Sequence, residues 1–189
     1  MQQIKGTILK SRLGFVEQHW GRDGVERVVA SLPDEDQKAL RTLLSVKWYP
    51  FELGKRLDAA IVQVLGGGRS DVFERMGAAS ADANLGTVHK QFLAPGKPHV
   101  FLGKAPIIYG LYYETGSRTY QQTGESSGVM TTYDAETFSV PDCLTVVGWY
   151  KRALELCGAQ GVSIVEDECR ARGGEVCRYR IEWKSAAGA

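Results

Sequence analysis

The stretch "VEDECRARGGEVCRY", Val165 to Tyr179, carries the residue types best suited to metal chemistry: Glu166, then Cys169 and Cys177 eight positions apart around Gly173-Gly174. Two other cysteines, Cys143 and Cys157, precede it. They fall at opposite ends of one expected helix, about 21 Å apart at a rise of about 1.5 Å per residue, and so cannot hold the same ion. The strand from Gly161 to Cys169 runs back about 27 Å at roughly 3.3 Å per residue. If it packs along the helix, Cys169 returns to Cys143 and not to Cys157. Pairing about the Arg172-Gly173-Gly174 turn sets Cys177 opposite Cys169, with Cα atoms about 4.5–5.5 Å apart. Three thiols thus converge, with Cys143 at a helix start where the dipole lowers a thiol pKa. Glu166 is the candidate fourth group, provided a bulge or twist breaks the alternation that would point it away from Cys169. Such a Cys₃Glu set suits tetrahedral zinc. The competing reading is a set of core thiols, because Cys177, Tyr179, Ile181 and Trp183 form an alternating inward face and no CxxC knuckle is present.

The elements that must position these groups divide the chain in two. Ile4, Ile8, Leu9, Leu13, Phe15 and Val16 recur at roughly helical spacing up to Gly21. A short helix then stops near Leu32, and a second enters through Pro33 with Asp34, Glu35 and Asp36 in its first turn. A third follows "KWYP", and a less regular fourth covers about Asp71 to Phe92. "GGGRS" at 66–70 lacks the Lys-Ser/Thr pair of a phosphate loop and reads as a connection. From Pro98 the texture changes. "HVFLGKAPIIYGLYYE" fits helix and strand equally, while "SRTYQQT" and "SGVMTTYD" flank "GESSG" as a hairpin. "ETFSV" offers a further strand. A long helix follows, capped by Ser139, opened by Pro141 and Asp142 and stopped by Gly158. "VSIVEDEC" and "EVCRYRIEW" form the terminal hairpin. The expected fold class is α+β, as one domain over 1–184: a helical half to about 95, then from about 98 an antiparallel sheet interrupted by one long helix, with a frayed tail at 185–189.

Composition excludes some function classes. Basic and acidic residues number 23 and 22, interleaved, giving a net charge of +1 and no basic stripe for nucleic acid. The N-terminus breaks its apolar residues with charges, so neither a signal peptide nor a membrane span is expected, and the expected compartment is the cytoplasm. In a reducing compartment the cysteines are core thiols or metal ligands before they are disulfides.

The segment "PDCLTVVGWYKRALELCGAQGVSIVEDECRARGGEVCRYRIEW" resembles the end of the 4-vinyl reductase domain in the version that serves as the sensor module of phenol-responsive activators. The resemblance rests on Cys143, Gly148-Trp149, Gly158 or Gly161, Glu166, Cys169, Gly173 and Cys177. It implies a structural zinc held by Cys143, Glu166, Cys169 and Cys177. "IKGTILKSRLGFVEQHWGRDGVERVVASLP" and the "WYP" after it also look like a myxobacterial family of paralogues. That family is related to the superfamily of haem-based nitric oxide sensors and vesicle-tethering subunits, which implies an α+β fold, commonly dimeric through its helical half. The sensor's phenol-gripping histidine and tryptophan have no match.

Other candidates are weaker in signal. Tyr109, Tyr112, Tyr113 and Tyr120 could line a pocket for a small hydrophobic or aromatic ligand, with His99 as a polar donor; packed core or a dimer interface is the alternative. His89 and His99 carry no haem motif, and haem is not expected. No GxSxG, HExxH or partnered carboxylate pair marks a catalyst. The expected function is a ligand-sensing or adaptor domain with structural zinc, working through a homodimer or a signalling partner. The alternatives are an interaction module without ligand and an enzyme acting on a tetrapyrrole or aromatic substrate.

Overall fold

The computed structural model of the chain describes residues 2–69, 71–87, 89–136 and 139–184. β1 (Gln3–Lys5) leads into α1 (Gly6–Ala30), which bends at Gly21, where φ is +69°. Glycine adopts that conformation without steric cost, so the bend falls where the helical spacing breaks. α2 (Asp34–Arg41) opens after Pro33 with three carboxylates in its first turn, where the helix dipole favours them. β2 (Trp48–Pro50) pairs antiparallel with β1, Ile4 opposite Tyr49; three residues are too few to show a period of two in the sequence. α3 (Phe51–Val64) and α4 (Val72–Leu85) follow. The fourth helix thus ends at Leu85 and not near Phe92, and one 3₁₀ turn covers Lys90–Phe92.

The ambiguous region after Pro98 is helical: α5 (Pro98–Leu102) and α6 (Ala105–Gly110), each with proline in its first turn. There the fixed φ of proline fits and its missing N–H is not needed. β3 (Ser117–Gly124) and β4 (Ser127–Tyr133) form the expected hairpin. The strand expected at "ETFSV" includes Thr137 and Phe138, and the tail is 185–189; these lie outside the described residues. α7 (Val140–Leu156) starts as its sequence demands, Ser139 Oγ accepting a hydrogen bond from the Asp142 N–H at 3.2 Å. β5 (Gln160–Glu168) and β6 (Cys177–Lys184) form the closing ribbon.

The sheet is antiparallel in the order β3-β4-β6-β5. Its inner face presents Arg118, Met130, Val162, Cys177, Tyr179, Ile181 and Trp183, all buried, and its outer face is mostly polar, with Val129 and Val165 flanking Arg180. The fold is therefore α+β, as the alternation and the helical spacing predict. Two apolar clusters form. One joins Leu9, Val16, Leu57, Ile61 and Phe73 among the N-terminal helices. The other joins Phe101, Tyr150, Leu154, Tyr179 and Ile181 between α7 and the sheet. No helix is long and apolar enough to cross a membrane.

α4 and α7 cross at two glycines. A Cβ on Gly77 would strike the Thr145 carbonyl oxygen, and one on Gly148 the Glu74 carbonyl oxygen. Gly148 is the glycine of the Gly-aromatic pair, and this contact is its physical reason. Gly148→Ala is expected to cost about 2–3 kcal/mol, because backbone must move on both helices. Urea unfolding that shows the variant equal to or more stable than the parent would contradict this crossing.

Candidate functional site

The ribbon tip and the start of α7 meet. Cys143 Sγ lies 3.6 Å from Cys169 Sγ and 3.9 Å from Cys177 Sγ. One ligand atom from each of Cys143, Glu166, Cys169 and Cys177 lies within 4.8 Å of the others. Zinc–sulfur bonds of about 2.3 Å in a tetrahedron place sulfurs about 3.8 Å apart, so the thiols stand at that spacing. The bulge that Glu166 requires is present: Glu166 pairs with Tyr179 and Glu168 with Arg178, leaving Asp167 as the extra residue. Arg172 fixes the carboxylate from outside through Oε2 at 2.8 Å, while Oε1 is buried and accepts no hydrogen bond among the described residues. Burial of a carboxylate oxygen without a donor is costly unless a cation arrives.

The thiol of low pKa is not Cys143, contrary to the helix-dipole expectation. Cys177 is drawn down to about 7, first by its hydrogen bond with Cys143 and also by the Arg170 N–H, which donates to Cys177 Sγ at 3.4 Å. Cys143 is pushed up by the same partnership and by burial. Cys157 lies outside the cluster, buried at the far end of α7.

A second site lies where the two apolar clusters abut. A cavity of about 80 Å³ is bounded by Ile8, Arg12 and Met76 on the helical side and by Tyr109, Tyr112, Tyr113, Arg118 and Trp149 on the other. Thr7, Ser11, Ser80 and Asn84 form its half-buried polar rim. Beside it runs a buried ion network. Arg12 on α1 binds both oxygens of Asp58 on α3 and reaches Asp142 on α7 at 3.1 Å. Tyr113 donates its hydroxyl to Asp142 at 2.9 Å. The sequence reading missed this network. The available signal was a charged residue within each apolar helical stripe: Arg12 among Leu9 and Val16, Asp58 beside Leu57 and Ile61.

Tyr109, Tyr112 and Tyr113 thus share one cavity; His99 does not join them. His99 Nε2 meets the Glu125 carbonyl at 2.8 Å and Nδ1 meets the Tyr120 hydroxyl at 2.6 Å, with Trp183 edge-on at 4.7 Å. A carbonyl only accepts, so Nε2 carries the proton and Nδ1 accepts from Tyr120. Burial pushes both Tyr112 and Tyr120 up to about 12 from 10.0. A pKa raised on folding contributes stability that is whole below the unfolded value and lost as pH rises through the folded one. Thermal stability is therefore expected to fall between pH 10 and about 12, and since burial also raises Tyr113, Tyr150 and Tyr179, five phenols should ionise late in an absorbance titration and one fewer in Tyr112→Phe. Phenols that all titrate near 10 in a folded protein would contradict the burial of these hydroxyls.

The chain matches no protein-family profile and no curated protein. Its fold is that of solved H-NOX proteins. It superposes on the Fe(II) unliganded H-NOX protein from K. algicida with a TM-score of 0.74 at 13% identity, covering 98% of this chain and 99% of that one. An H-NOX protein from S. oneidensis in the Fe(II)NO ligation state gives 0.72 at 18% identity, covering 95% and 99%. A structure probing haem distortion in the H-NOX family gives 0.73 at 14% identity, covering 98% and 97%.

These neighbours overturn one expectation. Haem is not expected from the sequence, yet the neighbours are described in Fe(II) and Fe(II)NO states and, in one case, by haem distortion in the H-NOX family, so that expectation is withdrawn. The cavity in this structure is smaller than a porphyrin and has no histidine among its described lining residues. His89 stands behind Tyr112, edge-on at 5.7 Å. The lining as it stands does not fit the group, and no step below is routed through it.

Proposed function

We propose that the chain is a cytoplasmic small-molecule-sensing domain built like the 4-vinyl reductase sensor modules. Zinc held by Cys143, Glu166, Cys169 and Cys177 pins the β5–β6 ribbon to the start of α7, and a small ligand enters the cavity between the two apolar clusters. The observation that carries this reading is that α7 serves both sites: Cys143 stands in the thiol cluster, while Asp142, Val146, Trp149 and Tyr150 line the cavity. A zinc with four protein ligands has no open position, so its role is to hold structure and not to perform chemistry. A ligand changes output only through a difference in affinity between two arrangements. A cavity walled by α1 and α4 on one side and by α6, β3 and α7 on the other is placed to favour one packing of the halves over another. The change passes to a second copy of the chain or to a signalling protein. The H-NOX fold supports the reading, since its members include a ligand-bound Fe(II)NO form.

Small neutral and charged compounds titrated into labelled protein test it by NMR. The reading predicts shifts centred on the Trp149 indole, Tyr112, Ser80 and Asn84, abolished by Ser80→Phe at the cavity rim. Shifts that avoid these residues, or survive the blocked rim, would sink it.

A further inference from the structure

The two buried arginines at the cavity differ in their partners. Arg12 is paired directly with two carboxylates, Asp58 and Asp142. Arg118, 6% exposed on the inner face of β3, meets no carboxylate within ion-pair distance among the described residues. Its Nε donates to Thr132 Oγ1 at 2.9 Å, and its guanidinium lies over the rings of Tyr109 at 4.8 Å and Tyr150 at 5.6 Å. Those π faces ease burial of the cation but bring no countercharge. Asp142, the one carboxylate among the described lining residues, already accepts from Arg12 and from Tyr113 on its oxygens. A guanidinium is a fixed, permanently charged fork of donors, and its usual complement is a planar oxyanion.

A second group in the same lining is also unfilled. The Tyr112 hydroxyl is buried without a hydrogen-bond partner among the described residues. Burial holds its pKa up at about 12, so it stays protonated and able to donate at neutral pH. The Tyr150 hydroxyl in the same lining is likewise buried without a hydrogen-bond partner among the described residues. All three groups can donate, and the volume of about 80 Å³ is roughly half that of an apolar cavity of about 150 Å³ that accepts benzene. We infer that the cavity recognises a small monoanion, a carboxylate of formate-to-acetate size, with its oxygens on the Arg118 guanidinium and the Tyr112 hydroxyl. This rests on the sensing reading and names the ligand class for that cavity. The match is one of geometry, a single guanidinium without a direct carboxylate partner facing a single carboxylate, and the neighbouring Asp142 disfavours a ligand of higher negative charge.

Calorimetric and thermal-shift titrations of the full chain with acetate and with acetamide, at constant ionic strength, test the inference. Acetate is expected to bind at least about 10-fold more tightly than acetamide, the discrimination typical of a charge-assisted hydrogen bond. Arg118→Gln is expected to abolish that preference, Arg118→Lys to keep part of it, and Tyr112→Phe to weaken acetate by about 3- to 10-fold. Equal affinity for acetate and acetamide, or an acetate preference surviving Arg118→Gln, would overturn it. Should Arg118→Gln fail to fold, the comparison on the unmodified chain and Tyr112→Phe still decide. Entry of neutral compounds at Trp149 without any preference for acetate sinks the anion alone. Failure of both charged and neutral compounds to reach Trp149 sinks the sensing reading with it.

Discussion

Arg12→Met is expected to destabilise the protein by about 3–5 kcal/mol, the cost of breaking a buried ion pair and leaving its carboxylates uncompensated. Asp58 and Asp142 are 2% and 6% exposed, so neither can recover hydration without opening the helical packing. At about 2–4 °C per kcal/mol for a chain of this size, the thermal midpoint should fall by roughly 10 °C. The sign with pH follows from Asp58. Burial already raises its pKa, and Arg12 opposes that rise. Without Arg12 the folded value climbs further above the unfolded one, so the variant regains stability as pH falls and loses it as pH rises. The penalty should be larger at pH 8 than at pH 5. Asp58→Asn in the same chain should return part of the loss, because it removes a charge that no longer has a partner. A midpoint unchanged by Arg12→Met would mean that the network is solvated and does not join α1, α3 and α7.

The second large effect is expected from the thiol cluster. For a site with free zinc about 1,000-fold above its dissociation constant, binding linkage stabilises the fold by about 4 kcal/mol. Stripping the ion with a chelator should therefore lower the thermal midpoint by roughly 8–16 °C, and zinc should restore it. Cys169→Ser should behave as the stripped protein does and gain little from zinc. Cys157→Ser should respond as the parent does, since its thiol lies outside the cluster. Ligation requires thiolates, so zinc affinity should weaken as pH falls. A midpoint indifferent to chelator and to zinc would mean that Cys143, Cys169 and Cys177 are core thiols.

What the sequence makes legible is local. The α7 start is written in Ser139, Pro141 and Asp142, and the ribbon in the alternation of Cys177, Tyr179, Ile181 and Trp183. Helix rise and strand length then suffice to separate Cys157 from the other thiols and to bring Cys143 to the ribbon tip. Even the need for a bulge near Glu166 follows from alternation, though its place at Asp167 does not. The cavity is legible only in part. Its tyrosines stand out by type, but Arg118 sits in "SRTYQQT", where Thr and Tyr announce a strand and nothing announces which side its arginine takes. The ion network is invisible because Arg12 lies 46 residues from Asp58 and 130 from Asp142, and such pairings are set by tertiary packing. The helical state of 98–110 is likewise a packing outcome, since its apolar run satisfies either period. The pairing of Cys143 with Cys177 is a tertiary contact too, and the helix dipole, a local argument, does not include it.

Native mass spectrometry of the purified chain tests the central claim most directly. The account predicts one zinc ion per chain in the parent and in Cys157→Ser, and none in Cys169→Ser. A folded parent that stays metal-free on zinc addition, with all its thiols open to alkylation, would contradict it.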